Sequence, residues 1–366
     1  MIRILHVVSV LDVGGMESYI MNMYRQADRS QIQFDFLVHH KKRGVFEDEI
    51  ESLGGRIYHT SLMDDGNLPR YLHTVDRLFS EHPEYRIVHG HLGSTAVWYL
   101  GAAERHGVPW RIMHNHCPSY VHSLKGYAKD ILFRFSPRHA NIYLACSQTA
   151  GEYMFKDKPF EVIPNGIDVA RFRFSQEERD RVRRKLGLEN KFVVGHVGRF
   201  YYEKNHEYLL KIFRKLKEEK PTAVLLLLGE GVLMDKIKEE ARKLGLEDSV
   251  LFMGLIRDCA PYYHAMDAFV MPSLYEGLPL TGVEAQCSAL PCLFSNTVSP
   301  EIHLTSDVCF LPIGEENIGL WSDALMCISR KTLDRSILHP AVSAFDSKVG
   351  TEKMIERYQS LWGKKA

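Results

Sequence analysis

The chain has 366 residues, 45% hydrophobic and 25% charged, an average balance that excludes disordered, collagenous and coiled-coil classes. At the usual ~100–200 residues per domain, this length predicts two domains. Forty-six basic residues offset forty-six acidic ones, so no net field draws the chain to nucleic acid and no nucleic-acid partner is expected.

Apolar, β-branched runs of strand length alternate with helix-period segments, the pattern of a parallel α/β architecture. Strands are predicted at 2–10, 34–38, 56–59, 87–90, 111–114, 142–146 and 162–164, then at 192–197, 223–228, 250–253, 268–271 and 291–294. The layout is that of two doubly wound, Rossmann-like domains. The turn-rich Pro164-Asn165-Gly166-Ile167-Asp168 breaks the pattern before a charged helix over 176–188, which places a hinge there and the domains at 1–168 and 169–346. The last segment carries Met354, Ile355, Tyr358, Leu361 and Trp362 at helical spacing, so one face packs on a domain surface.

The first strand runs into Asp12-Val13-Gly14-Gly15-Met16-Glu17 and an amphipathic helix. A glycine pair at such a turn lets backbone approach a ligand and aims helix-start N–H groups at negative charge; it also suits any tight turn. It is not G-x-G-x-x-G, which weighs against a dinucleotide enzyme. In the second half, Arg199 and Lys204 follow the strand at 192–197, at the carboxyl edge where open sheets bind ligands. Two cations there can hold a diphosphate and neutralise its charge on departure, or form a solvated basic loop. Downstream, a loop after the strand at 268–271 presents Glu276, and a helix starting near Pro279 carries Glu284 about one and a half turns in. Carboxylates accept from paired sugar or ribose hydroxyls.

The Gly-Gly turn, Ile163-Pro164-Asn165-Gly166-Ile167-Asp168, G-R-x-x-x-x-K-N from Gly198 to Asn205, and P-S-x-x-E-G-L-P-L-x-x-x-E-A from Pro272 to Ala285 occur in that order. Together they resemble the family 4, retaining glycosyltransferases of GT-B fold, particularly those of bacterial surface-polysaccharide assembly. The resemblance covers nearly the whole chain, and its motifs are most specific in the C-terminal half. It implies two Rossmann-like domains facing a cleft, with the last helix, about 347–366, crossing back to the N-terminal domain. It assigns Arg199 and Lys204 to the diphosphate of a nucleotide sugar, Glu284 to the ribose hydroxyls and Glu276 to the transferred sugar. Backbone at Gly14, Gly15, Leu280 and Thr281 would line the phosphate and sugar, and backbone around Ile256 would meet the base.

Thirteen of the eighteen histidines lie at or before Asp168, including His89, His91, His114 and His116. The family often carries a histidine near the reacting sugar after the strand that here ends in His114-Asn115-His116. His114 is the first candidate and His116 the second; a structural or acceptor-loop role is the alternative. The H-x-H pairs lack a third ligand in the sequence, which disfavours a zinc site.

A basic amphipathic stretch over 124–140, with Lys125, Lys129, Arg134 and Arg138 among aromatic and aliphatic residues, could lie on an anionic membrane or simply cover the domain. The seven cysteines are odd in number and form no C-x-x-C pair, which predicts reduced thiols and a cytoplasmic protein, with the inner face of the cell membrane as an alternative location. The longest apolar run, Ala223–Leu228, falls far short of the ~20 residues that cross a bilayer, so no spanning helix is expected, and Met1 leads straight into a strand pattern rather than a signal peptide.

The resulting expectation is a retaining hexosyltransferase moving sugar from a nucleotide sugar, a UDP-sugar first, to a glycan or lipid-linked acceptor. With no Asp-x-Asp in the chain, no metal or other cofactor is expected. A nucleotide-sugar 2-epimerase on the same fold and a non-catalytic partner subunit are the alternatives.

Overall fold

The computed structural model describes residues 1–12, 14–116, 133 and 135–364. The chain divides into two units: Met1–Gly166 with the C-terminal segment from Ser347, and Ile167–Asp346.

The first unit holds seven parallel strands, β1 (Ile2–Val8), β2 (Ile32–Val38), β3 (Ile57–His59), β4 (Ile87–Gly90), β5 (Trp110–Asn115), β6 (Ile142–Ala145) and β7 (Glu161–Val162), in the order β3-β2-β1-β4-β5-β6-β7. β2 is buried along its whole length, as a central parallel strand covered on both faces must be. Its one carboxylate, Asp35, accepts from Arg3 Nε at 2.6 Å and from the Tyr85 hydroxyl at 2.7 Å, so the buried charge is paired.

The second unit repeats the plan with six parallel strands, β8 (Phe192–Val197), β9 (Ala223–Leu228), β10 (Val250–Phe252), β11 (Ala268–Met271), β12 (Cys292–Ser295) and β13 (Val308–Leu311), in the order β10-β9-β8-β11-β12-β13. The edge strand β13 is one that the sequence pattern did not predict. It has four residues, none fully buried, so its apolar run is too short and too exposed to stand out. Apolar clusters flank both faces of each sheet. At ~1.5–3 kcal/mol per buried aliphatic or aromatic side chain, these layers are the main favourable contribution to folding.

The helix Gln176–Leu186 begins on Ser175, whose hydroxyl accepts from Glu178 N at 3.3 Å, and ends on Gly187 at φ +67°. The C-terminal helix Ser347–Gly363 belongs to the first unit. It packs on α1 (Gly15–Gln26), burying Met354, Tyr358 and Leu361 in that unit's core. Arg357 pairs with Glu161, and Arg86 lies 5.1 Å over the Trp362 ring.

Each strand order reverses once, between β1 and β4 and between β8 and β11. The carboxyl ends of those strands are where open α/β sheets form their crevices.

Candidate functional site

The chain leaving β8 is held tightly against its neighbour. Gly198 N donates to Leu228 O at 3.0 Å, and Gly229 sits at φ +136°, where a Cβ would lie 2.1 Å from Gly198 O. Only glycine allows that approach. Arg199 is exposed; its guanidinium lies 5.1 Å over the Tyr201 ring and makes no ion pair among the described residues.

Tyr202–Lys204 form one 3₁₀ turn, ended by Asn205 in the left-handed region at φ +55°, a conformation asparagine tolerates. Asn205 Nδ2 donates to Pro272 O at 3.1 Å and Leu274 N donates to Glu203 O at 2.8 Å, which laces the loop after β8 to the loop after β11. Across that lacing Lys204 Nζ makes an ion pair with Glu276, both side chains being largely buried. Ser299 N donates to Glu276 O at 3.2 Å and fixes the loop from its other side.

The next helix is Leu280–Cys287. Pro279 precedes it as its extended N-cap rather than lying in the first turn. Pro279 O accepts from the amides of Gly282 and Val283, so the amides of Leu280 and Thr281 are the first free donors of the helix. Glu284 lies one turn further on. Its carboxylate accepts from the Tyr263 hydroxyl at 2.7 Å, which tends to lower its pKa, but burial prevails and pushes the carboxyl up to about 7. The same hydroxyl is 3.2 Å from Thr281 O, so one buried tyrosine braces both the helix start and the acid. Tyr263 is a residue that the sequence pattern did not single out, because nothing local to either motif points to it. Ile256, beyond β10, packs partly buried on the core while its carbonyl accepts from Cys259 Sγ at 3.4 Å.

Lys204 and Glu276 are thus in contact, Arg199 stands on the same loop as Lys204, and Thr281 and Glu284 are joined through Tyr263.

In the first unit Gly14 is the extended N-cap of α1 and Gly15 its first residue. One turn on, the Tyr19 ring packs edge-on against His114, 5.8 Å between centroids, and lies 6.0 Å from His116. His114 is buried and His116 partly so. They belong to a cluster of five imidazoles from three adjacent strand ends. His6 Nδ1 is 3.1 Å from His91 Nε2, His91 Nδ1 is 2.9 Å from His116 Nε2, and His89 Nε2 is 3.2 Å from His114 Nδ1. The outer ends are held by Tyr358 of the C-terminal helix, 2.6 Å from His89 Nδ1, and by Asn165, 3.0 Å from His116 Nδ1.

Burial holds all five imidazoles neutral, lowering His6 to about 3 and His116 to about 4, and His89, His91 and His114 well below the ordinary value. The expectation that the H-x-H pairs lack a third ligand is corrected here. Parallel pairing of β1, β4 and β5 brings separate H-x-H pairs together, and that register is invisible to local spacing.

A cavity of 640 Å³ opens elsewhere in the second unit, among Arg179, Arg183, Asp267 and Arg335. It is a structural feature. Arg179 and Arg183 pair with Asp267, and Arg335 spends its donors on the carbonyls of Tyr263, His264, Met266 and Ser288. Most of the basic stretch at 124–140 lies outside the described residues. No helix of the described residues is long and apolar enough to cross a membrane, and no disulfide joins the described cysteines to one another.

Residues 13–171 match the family described as Glycosyltransferase Family 4, and residues 178–316 match the one described as Glycosyl transferases group 1. The chain is 34% identical over 332 residues to the EpsF protein of Bacillus subtilis (strain 168), whose name assigns it provisionally to the glycosyltransferases; the match spans 88% of this chain and 86% of that protein. It is 26% identical to an Escherichia coli UDP-Gal:alpha-D-GlcNAc-diphosphoundecaprenol alpha-1,3-galactosyltransferase, over 81% of this chain and 79% of that one. The fold matches that of Anabaena HepE, solved in complex with UDP and glucose, with a TM-score of 0.79 at 19% identity, covering 98% of this chain and 100% of that one.

Proposed function

The chain belongs to the family 4 glycosyltransferases and has their GT-B architecture, and on that premise we propose that it transfers a hexose from a UDP-sugar to a glycan or lipid-linked acceptor, with retention of configuration and without a metal ion. The observation that carries this reading is the Lys204–Glu276 ion pair at the β8/β11 switch point.

Arg199, without an ion pair among the described residues, and Lys204 receive the diphosphate and take up the charge that develops as the bond to the sugar breaks. The amides of Leu280 and Thr281 add helix-start donors. Glu276 faces the transferred sugar, and Glu284 accepts from the ribose hydroxyls. Two fixed cations replace the Lewis acid that a metal ion would supply. The departing phosphate takes the acceptor proton as the acceptor hydroxyl attacks from the same face. In the first unit His116, the one member of the five-histidine cluster that is not fully buried, reaches a substrate hydroxyl, with the His114 ring 4.1 Å behind it.

The donor class is tested by thermal shift against UDP, GDP, ADP and their sugars, with EDTA and then with Mg²⁺. A ligand at 100 times its Kd stabilises by about 2.7 kcal/mol. UDP-sugar-selective stabilisation in EDTA, followed by acceptor-dependent release of UDP and an axial linkage by NMR from an axial donor, is the expected outcome. A response to none of these nucleotides, or one that requires Mg²⁺, would overturn the reading; conversion of the donor with no acceptor present would point to an epimerase.

A further inference from the structure

We propose that His91, His114 and His116 form a binding site for a divalent transition-metal ion, zinc foremost, in the first unit. One ring nitrogen of each falls within a common 4.8 Å span. A second triad, His6, His89 and His91, satisfies the same criterion, but its members are all fully buried, whereas His116 gives the first triad a route from solvent.

The ligand chemistry selects the ion. Three imidazoles without a carboxylate suit zinc, copper or nickel and are poor ligands for magnesium. Burial keeps the rings neutral, the form that binds metal. The rings are also aimed. Asn165 Oδ1 accepts from His116 Nδ1 at 3.0 Å, which leaves Nε2 unprotonated and directed at His91 Nδ1, 2.9 Å away. With the Tyr358 hydroxyl accepting from His89 Nδ1–H, His89 Nε2 accepts from His114 Nδ1–H, and His114 Nε2 is the nitrogen left for the ion. A tetrahedral zinc holds its nitrogens about 3.3 Å apart, so the close pair opens by less than half an ångström. On the same wall the Tyr19 hydroxyl is buried without a hydrogen-bond partner among the described residues, although its ring packs against two of the three histidines.

Proton bookkeeping closes within the cluster. Without metal, His91 Nδ1–H donates to His116 Nε2 and His6 Nδ1–H donates to His91 Nε2. When the ion takes His91 Nδ1, that proton is carried on Nε2 instead and donates to His6 Nδ1, while His6 moves its own proton to Nε2. Both rings stay neutral and no proton is released.

Binding itself is independent of the proposed transfer reaction. The consequence for activity rests on that reading: an ion on His116 blocks the histidine assigned to a substrate hydroxyl, so zinc inhibits and chelation restores.

The test uses tag-free, EDTA-stripped full-length protein, titrated with Zn²⁺ against a chromogenic chelator and examined by X-ray absorption. The expected result is one Zn²⁺ per chain, unaffected by millimolar Mg²⁺, with three imidazole nitrogens at about 2.0 Å. His91→Gln and His116→Gln should abolish binding, and Asn165→Ala should weaken it by about 10- to 100-fold. Failure of the wild-type protein to bind stoichiometric Zn²⁺, fewer than three imidazoles on the ion, or unchanged affinity in both histidine variants would each overturn the site. Because the wild-type stoichiometry and ligand count stand without any variant, misfolding of a variant does not rescue it. Zinc binding without inhibition would keep the site and remove His116 from the transfer reaction.

Discussion

The Tyr263 hydroxyl donates to Glu284 Oε2 at 2.7 Å from a ring that is itself fully buried, so the acid is braced from inside the protein. That arrangement sets a pH response. Glu284 has a pKa raised to about 7, so the carboxylate form, the one proposed to accept from ribose hydroxyls, becomes populated as pH rises through 7. UDP-sugar affinity should therefore increase by about tenfold between pH 6 and 8. The sugar nucleotide is the right probe because its diphosphate does not titrate in that range. Isothermal titration should show the dependence vanish in Glu284→Gln and move to higher pH in Tyr263→Phe, which removes the hydrogen bond that lowers the pKa. An identical pH profile in all three proteins would take Glu284 away from the nucleotide.

Arg199 and Glu276 are expected to fail differently. Arg199→Ala should lower kcat and kcat/KM together, by about 10²- to 10³-fold, because its contact strengthens as charge develops. Glu276→Gln removes the anion that holds Lys204 in the unliganded protein. UDP should then bind at least as tightly as before while turnover falls. Steady-state kinetics with direct UDP binding separates the two; weaker UDP binding in Glu276→Gln would show that the carboxylate positions Lys204 rather than competing for it.

Acid should destabilise the first unit. Its five clustered histidines are neutral in the fold, whereas in the unfolded chain they protonate near 6.5. Below 6.5 the unfolded state binds more protons, so stability that is fully present above that value is lost as pH falls towards about 4 and 3, the values of His116 and His6. Each such group contributes up to ~1.4 kcal/mol per pH unit across its window. Urea denaturation at pH 7.5 and at pH 5.0 measures this, and equal midpoints at the two would refute it.

Arg335 is a stability residue. Its guanidinium serves four backbone carbonyls from a buried position, and burial lowers its pKa to about 9. Arg335→Met strands those carbonyls at ~1–3 kcal/mol each where water cannot reach them, so a loss of roughly 3 kcal/mol or more is expected by urea denaturation. A loss below ~1 kcal/mol would mean that solvent replaces the guanidinium.

The central strands were legible because β8 and β9 are buried on both faces, so that β9 reads as an unbroken apolar run and β8 as one interrupted by Gly195 and His196 alone. The loops carrying Lys204 and Glu276 were legible because Gly, Asn and Pro punctuate them for steric reasons that act locally. Partnerships across the fold were not. Tyr263 meets Glu284 from a helix twenty-one positions earlier, and His91 meets His116 through the pairing of β4 and β5. Spacing along the chain carries neither relation.

The placement of the C-terminal helix sets an order of assembly during synthesis. Met354, Tyr358 and Leu361 belong to the core of the unit that begins at Met1, yet they leave the ribosome after all of Ile167–Asp346. The second unit has its whole sequence available first and can fold on the nascent chain, while the first waits with the α1 face uncovered until the final segment arrives. A stalled or truncated chain would therefore carry a finished second unit and an open first one, with the apolar face of α1 exposed to chaperones and proteases.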